Sequence, residues 1–507
     1  MLLIHPPVFK PCEPPAGIAR LCSALNHHSI NYTVLDANLE GLLFLLHSSP
    51  GASDTWTTRA IRHFSGHLDS LKNWEAYRNV SRYRRAVNDL NRLVRMTPNA
   101  SGVRVGLANY EHDTLSPVRS MDLIWAAENP WDNPFYPYFQ KRLTDLLREQ
   151  LPSSIGLSLN YLSQALCTFA MIGFLKRKWP KIKLILGGGL VTSWLKRPHW
   201  KNPFQRWVDH LVAGPGEGPL LSLMGLSEAG DISYTPSYDS LPLQDYLTPG
   251  PILPYSASTG CYWNRCSFCP ERAEGNSYHA IPADHAIADL LHLVDKHQPV
   301  LIHFLDNAIS PSLMKAICEH PPGVPWYGFT RVTRHLMDQD FCVELKRSGC
   351  VMLKLGLESG DQVVLDDLQK GIDLEAVSSA LKNLKKTGIA TYVYLLFGTP
   401  REGLTEARHT LQFILKHQDC ISFLNLAIFN MPTHGPEVDQ METRCFYEGD
   451  LSLYTGFDHP KGWNRPLVRQ FLDKEFKRHP AIAPILRRDP PIFTSNHAPF
   501  FVMKKGF

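Results

Sequence analysis

No stretch of about 18 uninterrupted apolar residues occurs in this 507-residue chain, which argues against a membrane-spanning helix. A basic leader is also lacking. The start, Met1-Leu-Leu-Ile-His-Pro-Pro7, ends its apolar run at two prolines and predicts a buried first strand rather than a signal peptide. Charge of one sign is scarce: the formal net charge is only +4, so charge points to neither nucleic acid nor a membrane as partner. The cysteines number 11, an odd count, and eight of them are scattered singly. That usage disfavours a disulfide framework and predicts a reduced, cytoplasmic protein. Hydrophobic residues at 44% and charged residues at 20% describe an ordinary globular balance. At roughly 150 residues per domain, two or three domains are expected.

The three remaining cysteines are clustered in Thr259-Gly-Cys261-Tyr-Trp-Asn-Arg-Cys266-Ser-Phe-Cys269. Three thiols give an iron–sulfur cluster three ligands and leave one iron open, whereas electron-transfer clusters take four, so the pattern points to catalysis. On residues alone a second reading stays open, in which three cysteines and a histidine hold structural zinc in a non-catalytic binding protein. The run resembles the motif of the radical S-adenosylmethionine (radical SAM) enzymes, commonly Cys-x3-Cys-x2-Cys with an aromatic residue before the last Cys, the place of Phe268. This chain departs by one residue, Tyr262 to Arg265 making a four-residue first gap. Gly260-Cys-Tyr-Trp263 is similar to family members that carry a cobalamin domain. The resemblance implies a [4Fe-4S] cluster on Cys261, Cys266 and Cys269. It also implies S-adenosylmethionine on the open iron, an electron donor such as flavodoxin or ferredoxin, and an organic substrate that the sequence leaves unknown.

Toward the N-terminus short apolar runs alternate with helical patterns: strands at 2–4, 32–35, 155–159, 183–186 and 208–212, and helices at 16–27 and 165–178. The fold class is therefore α/β, with a doubly wound parallel sheet over 1–230 interrupted by a helical insertion near 46–149. Ligands are expected at the carboxyl ends of such strands, where Ser158, Gly187, Gly188, Gly189, Gly214, Gly216 and Glu217 fall. The order of these segments resembles a cobalamin-binding domain, which implies those seven residues as cobalamin contacts. Its Asp-x-His-x-x-Gly signature is missing: Asp36-Ala-Asn38-Leu-Glu-Gly41 copies the spacing with Asn for His, after the second strand instead of the first. Members without the signature also hold cobalamin. An alternative is a degenerate N-terminal domain in an enzyme that works without it. In the insertion, Tyr77 to Arg85 predicts a solvated helical face, and Pro130 to Tyr138 an irregular stretch.

A Pro-, Ser- and Tyr-rich segment at 231–254 predicts a linker. Six strands follow at 255–258, 301–304, 326–330, 351–356, 391–396 and 421–429, all but the last leading into a helix. Asp373 and Thr405 are expected N-caps, and Gly349 and Gly388 lie just past helix ends. This repeat predicts a partial parallel barrel over 255–430 with active groups at the carboxyl ends of its strands, and a C-terminal extension over 431–507 covering it. Within the radical SAM resemblance, Glu358 of Gly-Leu-Glu-Ser-Gly360 lies against the methionyl or ribose part of S-adenosylmethionine, and Gly398 beside its adenine. Phe268 adds an apolar wall. Arg331, ending the third barrel strand, and Lys354, two pleats before Glu358 and so on the same face, are the catalytic candidates. His497 is the one group in the closing run Pro490 to Phe501 with a reference pKa near neutrality. The combined expectation is a radical SAM enzyme, cobalamin-dependent, that methylates an unactivated carbon or carries out a related radical reaction.

Overall fold

A computed structural model describes residues 1–48, 51, 54–97, 102–226, 233–435, 438–445 and 448–503. Residues 231 and 232, where the linker was expected to begin, lie outside the described residues. The chain divides into two units, one of Met1–Gly250 with Tyr447–Leu453, the other of Pro251–Phe446 with Tyr454–Phe507. Among the described residues no helix is long and apolar enough to cross a membrane.

The first unit is built on a parallel sheet of β1 (Leu2–His5), β2 (Thr33–Asp36), β3 (Ser154–Ser158), β4 (Lys183–Gly187) and β5 (His210–Leu211). Their order is β2-β1-β3-β4-β5. Leu2, Leu3, Ile4, Ile155, Leu157 and Leu186 are buried, as a sheet covered on both faces requires. The last strand is only two residues long where a five-residue strand was expected.

The insertion is mostly helical and closes on a hairpin of Val103–Val105 with Tyr110–His112. Tyr77 and Tyr83 are buried, while Arg78, Arg82 and Arg85 are exposed, so the basic run is a helical face with its aromatic side turned inward. Pro130 to Tyr138 is more regular than expected. Pro130–Asp132 is a 3-10 turn and a helix begins at Tyr136, because proline is tolerated in a first helical turn.

Within this unit the helix Ser120–Glu128 packs on Leu162–Lys178 at Gly173, where an added Cβ would stand 1.8 Å from the Ala127 carbonyl oxygen. That neighbour is backbone and cannot swing aside. Gly173→Ala is expected to lower stability by about 1–3 kcal/mol, the usual range for overpacking, read as a lower melting temperature. An unchanged melt would show that the two helices part freely. The stretch Tyr447–Leu453 belongs here as well: Asp450 accepts the Ser120 N–H at 2.8 Å, and the Leu451 N–H reaches the Val118 carbonyl at 2.9 Å.

The second unit is an open barrel of six parallel strands: β6 (Ile252–Tyr255), β7 (Leu301–Phe304), β8 (Trp326–Thr330), β9 (Cys350–Glu358), β10 (Ala390–Phe397) and β11 (Phe423–Ile428). They lie in chain order, β6 and β11 forming the two edges. Two local expectations are corrected. The first strand runs over 252–255 rather than 255–258, and Ser258–Thr259 instead pairs antiparallel with His279–Ala280. The helix after β10 starts at Leu404 with Gly403 as N-cap, whose N–H meets the Glu406 carboxylate at 2.7 Å, so Thr405 is not the cap. Asp373 caps its helix by accepting from Glu375 and Ala376, and Gly388 ends it at φ 74°.

Beyond β11 the chain forms three short antiparallel strands and a series of helices ending at Thr494–Val502, which contacts β9 and β10. Tyr392 donates to Asp489 at 2.7 Å and Tyr394 is hydrogen-bonded by Ser495, so this extension lies on the face of the sheet that carries Lys354. His497 is fully buried there, stacked on Phe493 at 4.4 Å.

Candidate active site

The three cysteines lie on the loop that follows β6, at the carboxyl end of the barrel, where backbone groups unused by the sheet are free to hold a ligand. Upstream, the loop is fixed by the carboxyl end of β7. Buried Asp306 accepts from Ser258 and from the Ala257 N–H, and Asn307 donates to the Gly260 carbonyl at 3.0 Å. Burial pushes the Asp306 carboxyl up, against those donated hydrogen bonds.

Cys266 is buried and Cys261 and Cys269 half-buried. Burial raises the Cys266 thiol and carries that of Cys269 up to about 11; the Lys370 and Arg331 cations oppose it at Cys266, and the Glu271 and Arg272 N–H groups at Cys269. Each thiol also feels another of the set, Cys266 feeling Cys261 and Cys269 feeling Cys266. Three thiols within nine residues, with the Arg331 guanidinium at the Cys266 sulfur and two amides at Cys269, form a donor set suited to an anionic iron–sulfur cluster, whose binding would displace the thiol protons. Among the described residues no three His, Cys, Asp or Glu side chains converge where one ion could sit.

Arg331 follows β8 and is buried, with its guanidinium 4.1 Å above the Trp263 ring. It donates to the Lys370 carbonyl and reaches the Cys266 sulfur at 3.8 Å. At the end of β9, Glu358 has φ 68°, a left-handed conformation that is strained for a residue other than glycine. Its carboxylate meets the Lys370 ammonium at 2.8 Å, with both side chains largely buried. Gly356 leaves the room: a Cβ there would lie 2.5 Å from the Glu358 oxygen and 2.8 Å from the lysine nitrogen. The helix after Glu358 is capped by Asp361, through the Val364 N–H. Phe268 lies 5.5 Å from the same lysine nitrogen.

Deeper in the barrel, Lys354 is buried with its nitrogen 2.9 Å from His303 Nε2 and over the rings of Tyr327 and Phe329. When the ammonium donates, His303 accepts at Nε2 and carries its hydrogen on Nδ1. At the end of β10, Gly398 has φ 81° and donates its N–H to Glu402, which also accepts from Trp463 at 3.2 Å. Beside it is a cavity of about 170 Å³ whose lining includes Phe429, Asn430, Phe457, Trp463 and Arg465.

The model of the radical SAM superfamily matches residues 255–414. The chain carries a radical SAM domain. The matched segment runs from the last residue of β6 into the helix after β10 and contains all three cysteines.

Two curated relatives are an uncharacterized methyltransferase of Pyrococcus horikoshii, 27% identical over 36% of this chain and 40% of its own, and the anaerobic magnesium-protoporphyrin IX monomethyl ester cyclase of Rubrivivax gelatinosus. The latter is 25% identical over 44% and 47%. The chain thus spans less than half the length of these relatives. Among solved structures, the radical S-adenosylmethionine methyltransferase TsrM of Kitasatospora setae, with cobalamin and a [4Fe-4S] cluster bound, matches in fold. Its TM-score is 0.53 at 14% identity, covering 87% of this chain and 77% of that one.

In the first unit Gly187 ends its strand and Gly188, Gly189, Gly214 and Gly216 follow the ends of theirs, and several groups already have partners. Ser158 Oγ and the Gly189 N–H are held by Asn160, at 3.1 and 2.9 Å. Gly188 approaches the Leu159 carbonyl so closely that a Cβ would lie 2.4 Å from it. Gly187 meets Val212 at ordinary distance, Gly216 faces Leu21, and Glu217 pairs with Arg20. Gly214 is exposed with open space beside it. Asp36 caps the helix Ala37–His47 and accepts from Tyr246, while Asn38 accepts the Phe9 N–H at 2.7 Å.

Trp263, Lys370 and Glu402 are the site residues that sequence reasoning passed over as individuals. Trp263 stood inside the quoted cysteine motif, and Glu402 lies four positions past Gly398. Nothing local marks Lys370, because its partner lies 12 positions back and across a helix.

Proposed function

We propose that this chain is a cobalamin-dependent radical SAM methyltransferase that acts on an unactivated carbon of an organic substrate. When bound, the cluster supplies an electron to S-adenosylmethionine, which yields a carbon-centred radical, and the corrinoid supplies a methyl group. Cys261, Cys266 and Cys269 hold the cluster. Glu358, fixed by Lys370 in its strained conformation, accepts from the ammonium or ribose hydroxyls of S-adenosylmethionine, and Phe268 walls the site. The cavity beside Gly398, with aromatic Phe429, Phe457 and Trp463, takes the flat base. Lys354 and His303, on the inner face, orient the substrate or move its proton. The carboxyl ends of the sheet strands, with exposed Gly214 and with Ser158, Gly187–Gly189, Gly216 and Glu217, approach the corrinoid. A soluble reductant such as flavodoxin or ferredoxin delivers the electron.

The observation that carries this reading is the three-cysteine loop at the carboxyl end of the barrel, with the buried Arg331 guanidinium at the Cys266 sulfur. Anaerobic reconstitution with iron and sulfide, followed by strong reductant, is expected to give 5′-deoxyadenosine from S-adenosylmethionine. A fully loaded cluster without cleavage would end the proposal. Protein prepared with cobalamin is expected to keep a corrinoid, visible as absorbance bands separate from the cluster.

The partners already taken by Gly189, Glu217 and Asn38 favour a second reading, a radical SAM enzyme that works without cobalamin. Cleavage by a protein that retains no corrinoid would select it.

A further inference from the structure

The long first gap of the cysteine motif has a structural consequence of its own. It brings Trp263 across the loop that follows the helix Gln362–Asp367, and the contacts there are dense. The indole N–H donates to the Gln369 carbonyl at 3.0 Å, and the Ser267 N–H to the Leu368 carbonyl at 3.0 Å. The ring lies so close to Gly371 that a Cβ on that residue, at φ 63°, would be 2.1 Å from it. On the same ring rests the buried Arg331 guanidinium, at 4.1 Å, with one nitrogen tied to the Lys370 carbonyl and the other 3.8 Å from the Cys266 sulfur.

A planar guanidinium held on an aromatic face and by a carbonyl has little freedom left. Its remaining N–H groups are therefore aimed rather than mobile. A cation and an N–H donor at a cluster thiolate stabilise the reduced, more negative state over the oxidised one, and net charge and hydrogen bonds to sulfur are among the factors that set such potentials.

We infer that Trp263 is a positioning residue that clamps Arg331 against Cys266, and that this pair sets the reduction potential of the cluster. The inference rests on the reading that the three cysteines hold a [4Fe-4S] cluster. It concerns which side chains tune that cluster.

The test is a redox titration of the reconstituted protein, followed by electron paramagnetic resonance of the reduced cluster and normalised to iron content. Arg331→Met removes the cation and the donor, and is expected to make reduction roughly tenfold less favourable, a fall of about 59 mV for one electron. Trp263→Leu keeps Arg331 but frees it, and is expected to lower the potential in the same direction by a smaller step. Trp263→Phe, which keeps an aromatic face, is expected to restore most of the wild-type value.

A merely structural role would lower the fraction of chains that take up iron and leave the midpoint of the loaded fraction where it was. A Trp263→Leu midpoint equal to wild type overturns the inference, even if Arg331→Met fails to load. A wild-type chain that assembles no such cluster removes the underlying reading as well, which tells the two failures apart.

Discussion

Replacing Glu402 by Gln is expected to flatten the pH dependence of stability between about pH 4.5 and pH 8. Burial pushes the Glu402 carboxyl up to about 8, only partly opposed by N–H donation from Gly398 and Trp463. One oxygen accepts both of those bonds, while the other is buried with no hydrogen-bond partner among the described residues. Below about pH 4.5 the proton is present in folded and unfolded chains alike, and the full stability is available. As pH rises from there to about 8 the unfolded chain loses the proton and the folded chain keeps it, so stability falls; above about 8 it levels off. At about 1.4 kcal/mol per pH unit the loss across the window is on the order of 4–5 kcal/mol. Glutamine accepts the same two N–H groups without a charge to bury. Denaturation of both proteins at about pH 5, 7 and 9 should show wild type weakening against Glu402→Gln as pH rises. Parallel curves would mean that the carboxyl ionises freely and that its surroundings open to water.

The second large effect concerns Glu358 and Lys370. Removing one member of a buried ion pair leaves the other charged and without its counter-ion, which costs about 3–5 kcal/mol, whereas neutralising both costs much less. Lys370→Met is therefore expected to destabilise the second unit strongly, and Lys370→Met with Glu358→Gln to recover most of the loss. Cleavage of S-adenosylmethionine separates fold from chemistry. If Glu358 touches that ligand as proposed, the double variant should melt near wild type and still cleave poorly. A double variant no more stable than the single one would show that the two groups do not depend on each other.

Most of the barrel was legible because its strands are buried on the helix side and its helices carry clear end signals. Leu301–Phe304 and Trp326–Thr330 stand where the apolar runs put them. The first strand was misplaced for an identifiable reason: Pro251 and Pro254 read as linker. β6 is an edge of the sheet, and an edge strand tolerates a residue with no N–H to donate. Proline misled again at Pro130 to Tyr138, where it opens helical turns instead of preventing them.

In the site, the cysteines were legible because all three fall within nine residues of sequence. What remained hidden was everything that depends on distance through space. Glu358 could be named, but not that Lys370 holds it at positive φ; Arg331 could be named, but not that Trp263 supports it. In the first unit, the pattern could not tell a glycine with open space beside it, such as Gly214, from one that lets two loops touch, such as Gly188.

The stretch around Asp450 bears on how the molecule can be dissected. Because Ser120 and Val118 receive their partners from a segment more than 300 residues downstream, a fragment ending at Gly250 lacks part of its own fabric. One scission cannot yield two whole halves. Someone wishing to study the sheet unit in isolation would need to restore residues 448–453 as a peptide or a graft.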